Sequence, residues 1–256
     1  MKGWSESMSD NKYTFGTTPE AAGRLEAISR FFNPLAEKLI GEYVRSPITA
    51  AVDIGCGPGF TTDMLRRATK AKRTVGLDNS GEFLALAKNR FPECEFLVHD
   101  VTAVPFPIMA SVLYVRFVLS HLKKPVERIN QWITQLSPGG ILVLEETEAV
   151  ATEVAPFRRY LTISEKLVAT QDTRLFVGSE LAGGSYNAKV LLDDCAVWTV
   201  PDNEAASWFL PNARSLWPKN PRVLEFMSAG EIEELTAELA RMADSTGRDS
   251  HVTWHI

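Results

Sequence analysis

A chain of 256 residues, 45% hydrophobic and 23% charged, is long enough to bury a core without metal or disulfide staples. This composition excludes collagen-like, low-complexity and largely disordered classes. The net charge of −5 argues against a surface devoted to nucleic-acid phosphates, so no nucleic-acid partner is expected. Cys56, Cys94 and Cys195 are odd in number and lack metal-ligand spacing, which leaves reduced thiols in a cytoplasmic protein as the expectation.

Residues 1–12 are polar, with no apolar segment of the kind a signal peptide needs. Residues 107–122 form the most apolar stretch, but Arg116 interrupts it and it is too short to span a bilayer. No membrane partner is expected. Leu25, Ile28, Phe31, Phe32, Leu35, Leu39 and Ile40 recur at helical spacing, and Pro34 is expected to divide that stretch into two helices.

Short apolar runs then alternate with helical segments. Strands are predicted at 51–54, 74–77, 95–99, 111–115 and 141–144, with helices at 61–70, 81–89 and 126–136 between them. Such runs, with little period-two pattern, signal a parallel sheet covered on both faces. Right-handed crossovers make it doubly wound, with ligands binding beyond the carboxyl ends of its strands. Past residue 150 the alternation weakens. An amphipathic helix is predicted at 157–170, irregular chain at 171–192, strands at 196–200 and 251–256, and one helix at 222–242. A basic run, Arg66, Arg67, Lys70, Lys72 and Arg73, reads as the solvated face of a helix.

Gly55-Cys56-Gly57-Pro58-Gly59 follows the first strand as G-x-G-x-G, and Asp78 ends the second strand nineteen residues past Gly59. Glycines let a backbone approach a ligand closely, the next helix offers unpaired amides, and a carboxylate accepts from a ribose diol. The combination points to a nucleoside-containing cofactor.

Val52-Asp53-Ile54-Gly55-Cys56-Gly57-Pro58-Gly59 resembles motif I of the class I S-adenosylmethionine-dependent methyltransferases. Gly76-Leu77-Asp78-Asn79-Ser80 is similar to their second motif, His99-Asp100-Val101 to the third, and Pro138-Gly139-Gly140 to the turn before the fifth strand. The resemblance covers roughly residues 13–148. It implies a Rossmann-like fold with a mostly parallel, seven-stranded sheet, N-terminal helices and a C-terminal cap. It further implies residues 1–45 as a cover over the site, 46–150 as the cofactor-binding core, and 151–256 as the remaining strands plus a substrate-side lid, all in a single domain.

By the same resemblance, Gly55, Cys56, Gly57 and Gly59 pass under the methionine part of S-adenosylmethionine. Asp53 reaches its ammonium, Asp78 takes the ribose hydroxyls, and Asn79 flanks the adenine. Asp100 accepts from the adenine amine, with Val101 beside it. Arg116 and Phe117 lie against the cofactor, and Tyr13 and Arg24 bind its carboxylate. Each has a plainer alternative: Asp53 as a polar residue near a strand end, Asp78 and Asp100 as turn or cap residues, Arg116 as half of a structural ion pair, and Tyr13 and Arg24 as helix packing.

Residues 109–112 read Met-Ala-Ser-Val where many members carry an acid, and Arg116 stands where metal-dependent members place a carboxylate. No catalytic metal is expected. The implied activity is methyl transfer to a small-molecule acceptor by in-line displacement, releasing S-adenosylhomocysteine. The protein mainly orients the acceptor and excludes water. A base is needed only for a protonated acceptor, and the candidates are His121, Glu146 and Tyr160. Trp198, Trp208, Phe209 and Trp217 suit a flat or apolar acceptor, or else form a core. Phe157, Tyr160 and Leu161 are lid candidates. An exposed Trp-rich cap also suits a homodimer interface. The alternative is a cofactor binder on this fold that does not methylate: a regulator, an interaction module or a cyclase.

Overall fold

A computed structural model describes residue 16 and residues 18–45, 47–247 and 249–256. Five strands, β1 (Ala50–Ile54), β2 (Arg73–Asp78), β3 (Glu95–Val98), β4 (Ala110–Arg116) and β5 (Leu136–Glu145), form one sheet in the order β3-β2-β1-β4-β5. Every neighbouring pair is parallel. Between the strands run α2 (Phe60–Thr69), α3 (Gly81–Arg90) and α4 (Pro125–Ile133). All five residues of β1 are buried, as a central strand covered on both faces requires. The chain winds outward from β1 to β3, then crosses to β4 on the other side of β1. The switch point therefore lies between β1 and β4.

The expected seven-stranded sheet is not formed. Chain beyond β5 builds a separate antiparallel sheet from β6 (Ala149–Thr152), β7 (Val197–Val200) and β8 (Val252–His255), in the order β6-β8-β7. Val200 and Val252, with Val150, Trp198 and Trp254, pack into a core around Phe32 and Trp208. A second hydrophobic core has drawn these strands away from the first sheet. Around them lie α5 (Ala155–Ala169), α6 (Gly178–Ala182) and α7 (Asp202–Pro211).

Pro34 does not divide the N-terminal segment, because α1 (Pro19–Tyr43) runs through it as one helix. An interior proline costs about 3 kcal/mol. Phe32 and Ile40, both essentially fully buried, each contribute about 1.5–3 kcal/mol in return. Ion pairs from Glu37 to Arg67 of α2 and from Glu26 to Arg90 of α3 fasten α1 across the sheet.

Two further boundaries differ from expectation. The predicted helix 126–136 stops at Ile133, and β5 begins before Pro138-Gly139-Gly140, where the register shifts against β4. The predicted helix 222–242 is two helices, α8 (Pro221–Phe226) and α9 (Ala229–Ala243). Ser228 starts the second through a capping box, its Oγ accepting from the Glu231 amide at 3.3 Å while Glu231 Oε2 accepts from the Ser228 amide at 2.8 Å.

Candidate active site

β1 delivers the chain into the glycine turn at the switch point. Gly55 and Gly57 have φ of 69° and 51°, a left-handed backbone that favours glycine. A Cβ on Gly55 would stand 2.5 Å from Val118 Cγ2, whereas one on Gly57 would meet nothing nearer than Leu25 Cδ1 at 3.7 Å. Among the described residues the turn is thus pressed against Val118 at Gly55, while at Gly57 it has room for a Cβ in ordinary contact with Leu25 of α1. It is stitched to the end of β2, because Leu77 O accepts from the Gly55 and Cys56 amides at 2.8 and 3.0 Å. Asp78 completes the seam: Oδ2 accepts from the Gly57 amide and Oδ1 from the Ser80 amide, both at 2.8 Å. Burial pushes the Asp78 carboxyl above its usual range.

Asp53 sits beneath this turn. The Thr61 and Thr62 hydroxyls of α2 both donate to its Oδ2 at 2.7 Å. Burial nevertheless raises its pKa to about 6, against those two bonds and the nearby Arg116 charge. Sequence reasoning passed over both threonines, although their position directly after the glycine turn was a usable signal. Gly76 was named within the second motif but given no role of its own. A Cβ there would lie 2.7 Å from Cys56 Sγ, so only glycine lets β2 run directly under the loop.

Arg116 ends β4 and reaches across to α1, where Nη2 donates to Ser29 Oγ at 3.1 Å and Asn33 Oδ1 at 2.9 Å. Its neighbour Phe117 has φ of 55°, a strained conformation for an aromatic residue. The Phe117 amide donates to Glu145 O at 3.1 Å. Glu145 itself is buried and accepts from the Tyr114 hydroxyl at 3.2 Å.

Glu146 faces the backbone rather than open space. Its Oε1 accepts from the amides of Val118 and Leu119 at 2.6 and 2.7 Å. Burial pushes its pKa up to about 8 despite those bonds. The chain it holds is a short 3₁₀ turn, Leu119–His121, which presents His121. Burial, then the charge of Arg24, lowers the His121 pKa to about 4.

His121 and Arg24 line a cavity of about 110 Å³, together with Leu25, Phe117, Tyr160, Leu161, Ser164, Trp208, Phe209 and Trp254 among others. The Tyr160 ring is stacked between Phe209 at 4.2 Å and Trp217 at 4.8 Å. Its hydroxyl accepts from Asn212 Nδ2 at 2.5 Å. Of the cap aromatics, Trp208 and Phe209 reach the cavity, while Trp217 is core and Trp198 packs edge-on against Phe31 and Phe32. Of the lid candidates, Tyr160 and Leu161 line the cavity and Phe157 is core. Trp254 and Ser164 escaped the sequence reading, because neither carries a local signal.

The remaining predicted residues lie toward the sheet's β3 side. Asn79 is exposed. Asp100 is exposed too, and its Oδ1 accepts from the amide and hydroxyl of Thr102 at 2.9 and 2.7 Å. Val101 O accepts from Trp132 Nε1 at 2.8 Å. Tyr13 lies outside the described residues. Among the described residues there is no group of three or more His, Cys, Asp or Glu able to hold a metal ion. The basic run is not one helix face: Arg66 and Arg67 lie on α2 and pair with Asp63, while Lys70 and Lys72 follow the helix and Arg73, paired with Glu95, begins β2.

A parallel sheet in this order, with a glycine turn at its switch point and an acid at the tip of the adjacent strand, defines an α/β fold that binds a nucleoside cofactor. Residues 52–144 match the family described as a methyltransferase domain, in keeping with the resemblance of the motifs to the class I S-adenosylmethionine-dependent methyltransferases. A trans-aconitate 2-methyltransferase of Rhodopseudomonas palustris (strain BisA53) is 26% identical over 202 residues, 74% of each chain. The trans-aconitate 2-methyltransferase of Delftia acidovorans is 29% identical over 144 residues, 51% of this chain and 54% of that one. That of Variovorax paradoxus is 30% identical over 111 residues, 43% of each. The chain thus spans about half the length of these last two relatives. A solved structure of Haemonchus contortus phosphoethanolamine N-methyltransferase 2 shares the fold, at 16% identity and a TM-score of 0.50, covering 92% of this chain and 56% of that one.

Proposed function

We propose that the protein transfers a methyl group from S-adenosylmethionine to a small, flat, largely apolar acceptor, releasing S-adenosylhomocysteine. The observation that carries this reading is one cavity bounded by both halves of the chemistry. Arg24, Leu25 and Phe117 stand on the strand-end side, and Trp208, Phe209 and Trp254 form an aromatic wall.

The residues present fit the cofactor. Each Asp78 oxygen accepts one backbone amide and keeps lone pairs for a ribose diol. Among the described residues no side chain crowds the outer face of the turn at Gly57, where a Cβ would come no nearer than 3.7 Å to Leu25 Cδ1. Asp53 offers a carboxylate for an ammonium, and Arg24 offers a guanidinium for a carboxylate. When bound, S-adenosylmethionine supplies a methyl group already activated by a sulfonium charge.

The chain's own residues then have three tasks. The aromatic wall orients the acceptor and excludes water. His121, held neutral by burial, would accept the proton that an acceptor hydroxyl or amine gives up on methylation. Glu146 fixes the turn that carries His121, and Tyr160 serves as wall. Among the described residues lining the cavity, Arg24 is the single Lys or Arg. That favours an apolar acceptor over one with three carboxylates, the chemistry for which the relatives are named.

The free thiols Cys56, Cys94 and Cys195 support a cytoplasmic setting. No helix among the described residues is long and apolar enough to cross a membrane. We read residues 1–45 as the cover, 46–150 as the cofactor half and 151–256 as the acceptor half of one site. No observation favours the non-methylating alternative.

Calorimetric titration with S-adenosylmethionine, S-adenosylhomocysteine and NAD tests the reading. Micromolar binding of the first two and none of NAD is expected. Failure to bind the first two overturns it.

A further inference from the structure

We propose that Ser164 is the specificity-determining residue of the acceptor pocket, selecting a single-ring acceptor that carries a second hydroxyl besides the group to be methylated. This rests on the methyl-transfer reading and names the acceptor within it.

Ser164 lies in the middle of α5, four residues after Tyr160, with 1% of its surface exposed. Its side chain lines the cavity. Its Oγ has no hydrogen-bond partner among the described residues. A buried hydroxyl inside a helix normally bonds back to the preceding turn. Other helical hydroxyls in this chain do so: Thr69 Oγ1 donates to Leu65 O and Ser207 Oγ to Glu204 O, both at 2.7 Å. Ser164 does not, and neither does Thr236 of α9, but of the two only Ser164 lines the cavity, on the α5 side beside Tyr160 and Leu161.

A buried polar group left unpaired is costly, and a site that holds one discriminates strongly for a ligand able to pair it. The cavity, at about 110 Å³, is somewhat smaller than the roughly 150 Å³ that accommodates a benzene ring. One ring is therefore the upper bound on the occupant, and the lining side chains must give way to admit it. His121 on the 3₁₀ turn addresses the reacting group, and Ser164 on α5 addresses a second one. The second group is read by hydrogen bonding alone, so no covalent step involves Ser164.

The test uses the full chain saturated with S-adenosylhomocysteine, and reads quenching of Trp208 and Trp254 fluorescence on titration with phenol, catechol, resorcinol and hydroquinone. At least one dihydroxybenzene should bind ~10-fold tighter than phenol. Ser164→Ala should bring that compound to the level of phenol while leaving phenol unchanged or tighter. The same variant should have a raised unfolding midpoint without ligand, because it removes an unpaired hydroxyl. A wild type that does not prefer any dihydroxybenzene overturns the proposal. So does a preference that survives in Ser164→Ala, or a variant less stable than its parent. Calorimetric binding of S-adenosylhomocysteine to both proteins separates these outcomes from failure of the cofactor reading.

Discussion

Glu146 caps the turn that starts at Val118: one carboxyl oxygen, Oε1, accepts from the Val118 amide at 2.6 Å and the Leu119 amide at 2.7 Å. Val118 is also the side chain against which Gly55 is pressed. One buried acid at the end of β5 therefore sets both the position of His121 and the wall of the glycine turn. Glu146→Ala should leave these amides unpaired and cost about 1–3 kcal/mol. Glu146→Gln keeps an acceptor oxygen and should cost less. Urea unfolding of both variants checks the order.

The same carboxyl makes stability depend on pH. Its folded pKa of about 8 lies above the ordinary carboxylate value, so the folded state holds a proton that the unfolded chain has lost. Stability should fall as pH rises between about 6.5 and 8, by about 1.4 kcal/mol per unit. Asp53, raised to about 6, has finished titrating below most of that window. His121 has the opposite sign: its pKa is lowered to about 4, so below about pH 6.5 its contribution falls on acidification while those of Glu146 and Asp53 rise and offset it. Denaturation midpoints measured from pH 5 to 9 give the profile. Glu146→Gln should abolish the alkaline decline, and an unchanged decline in that variant would rule Glu146 out as its source.

Cofactor affinity should follow Asp53. With its pKa near 6, the carboxylate that attracts a cofactor ammonium forms as pH rises through that value. Affinity for S-adenosylmethionine should improve across that range, and Asp53→Asn should flatten the response. Asp78→Ala, by contrast, should weaken binding by about 1–3 kcal/mol at every pH through lost ribose hydrogen bonds. Calorimetry from pH 5 to 8 distinguishes the two acids, and unchanged affinity in Asp78→Ala would remove that residue from the site.

The glycine turn makes a fourth prediction. Gly55→Ala places a Cβ 2.5 Å from Val118 Cγ2 and should cost about 1–3 kcal/mol from overpacking alone. Val118→Ala in the same chain should restore part of that loss. Gly57→Ala meets no such neighbour and should cost only the strain of its left-handed backbone, about 1–2 kcal/mol. Comparing the three unfolding midpoints tells collision from strain.

Legibility in the sequence differed sharply along the chain. The first half was readable because β1, β2 and β4 are buried on both faces and their sequences are accordingly short apolar runs closed by Gly55 and Asp78. The second half misled. Residues 196–200 and 251–256 have strand character, but nothing local says that they pair with each other and with β6 rather than with β5. Pro34 looked like a break because its missing N–H is a local property, while the burial of Phe32 and Ile40 that outweighs it belongs to the packed helix.

What the sequence by itself determined is the first half of the chain: a doubly wound parallel sheet, the glycine turn after its first strand, and the acids Asp53 and Asp78 at the strand ends. Each is encoded within a few residues, where backbone geometry and apolar periodicity act directly. The proposed acceptor pocket was decided only by tertiary structure. Its cavity collects side chains from α1, the turn after β4, α5, α7 and β8. The burial that neutralises His121, the amides that occupy Glu146, the rings that clamp Tyr160 and the unpaired hydroxyl of Ser164 all depend on neighbours far away in the chain. Burial and hydrogen-bond partnership are properties of the packed molecule, so those roles emerge only once the elements are assembled.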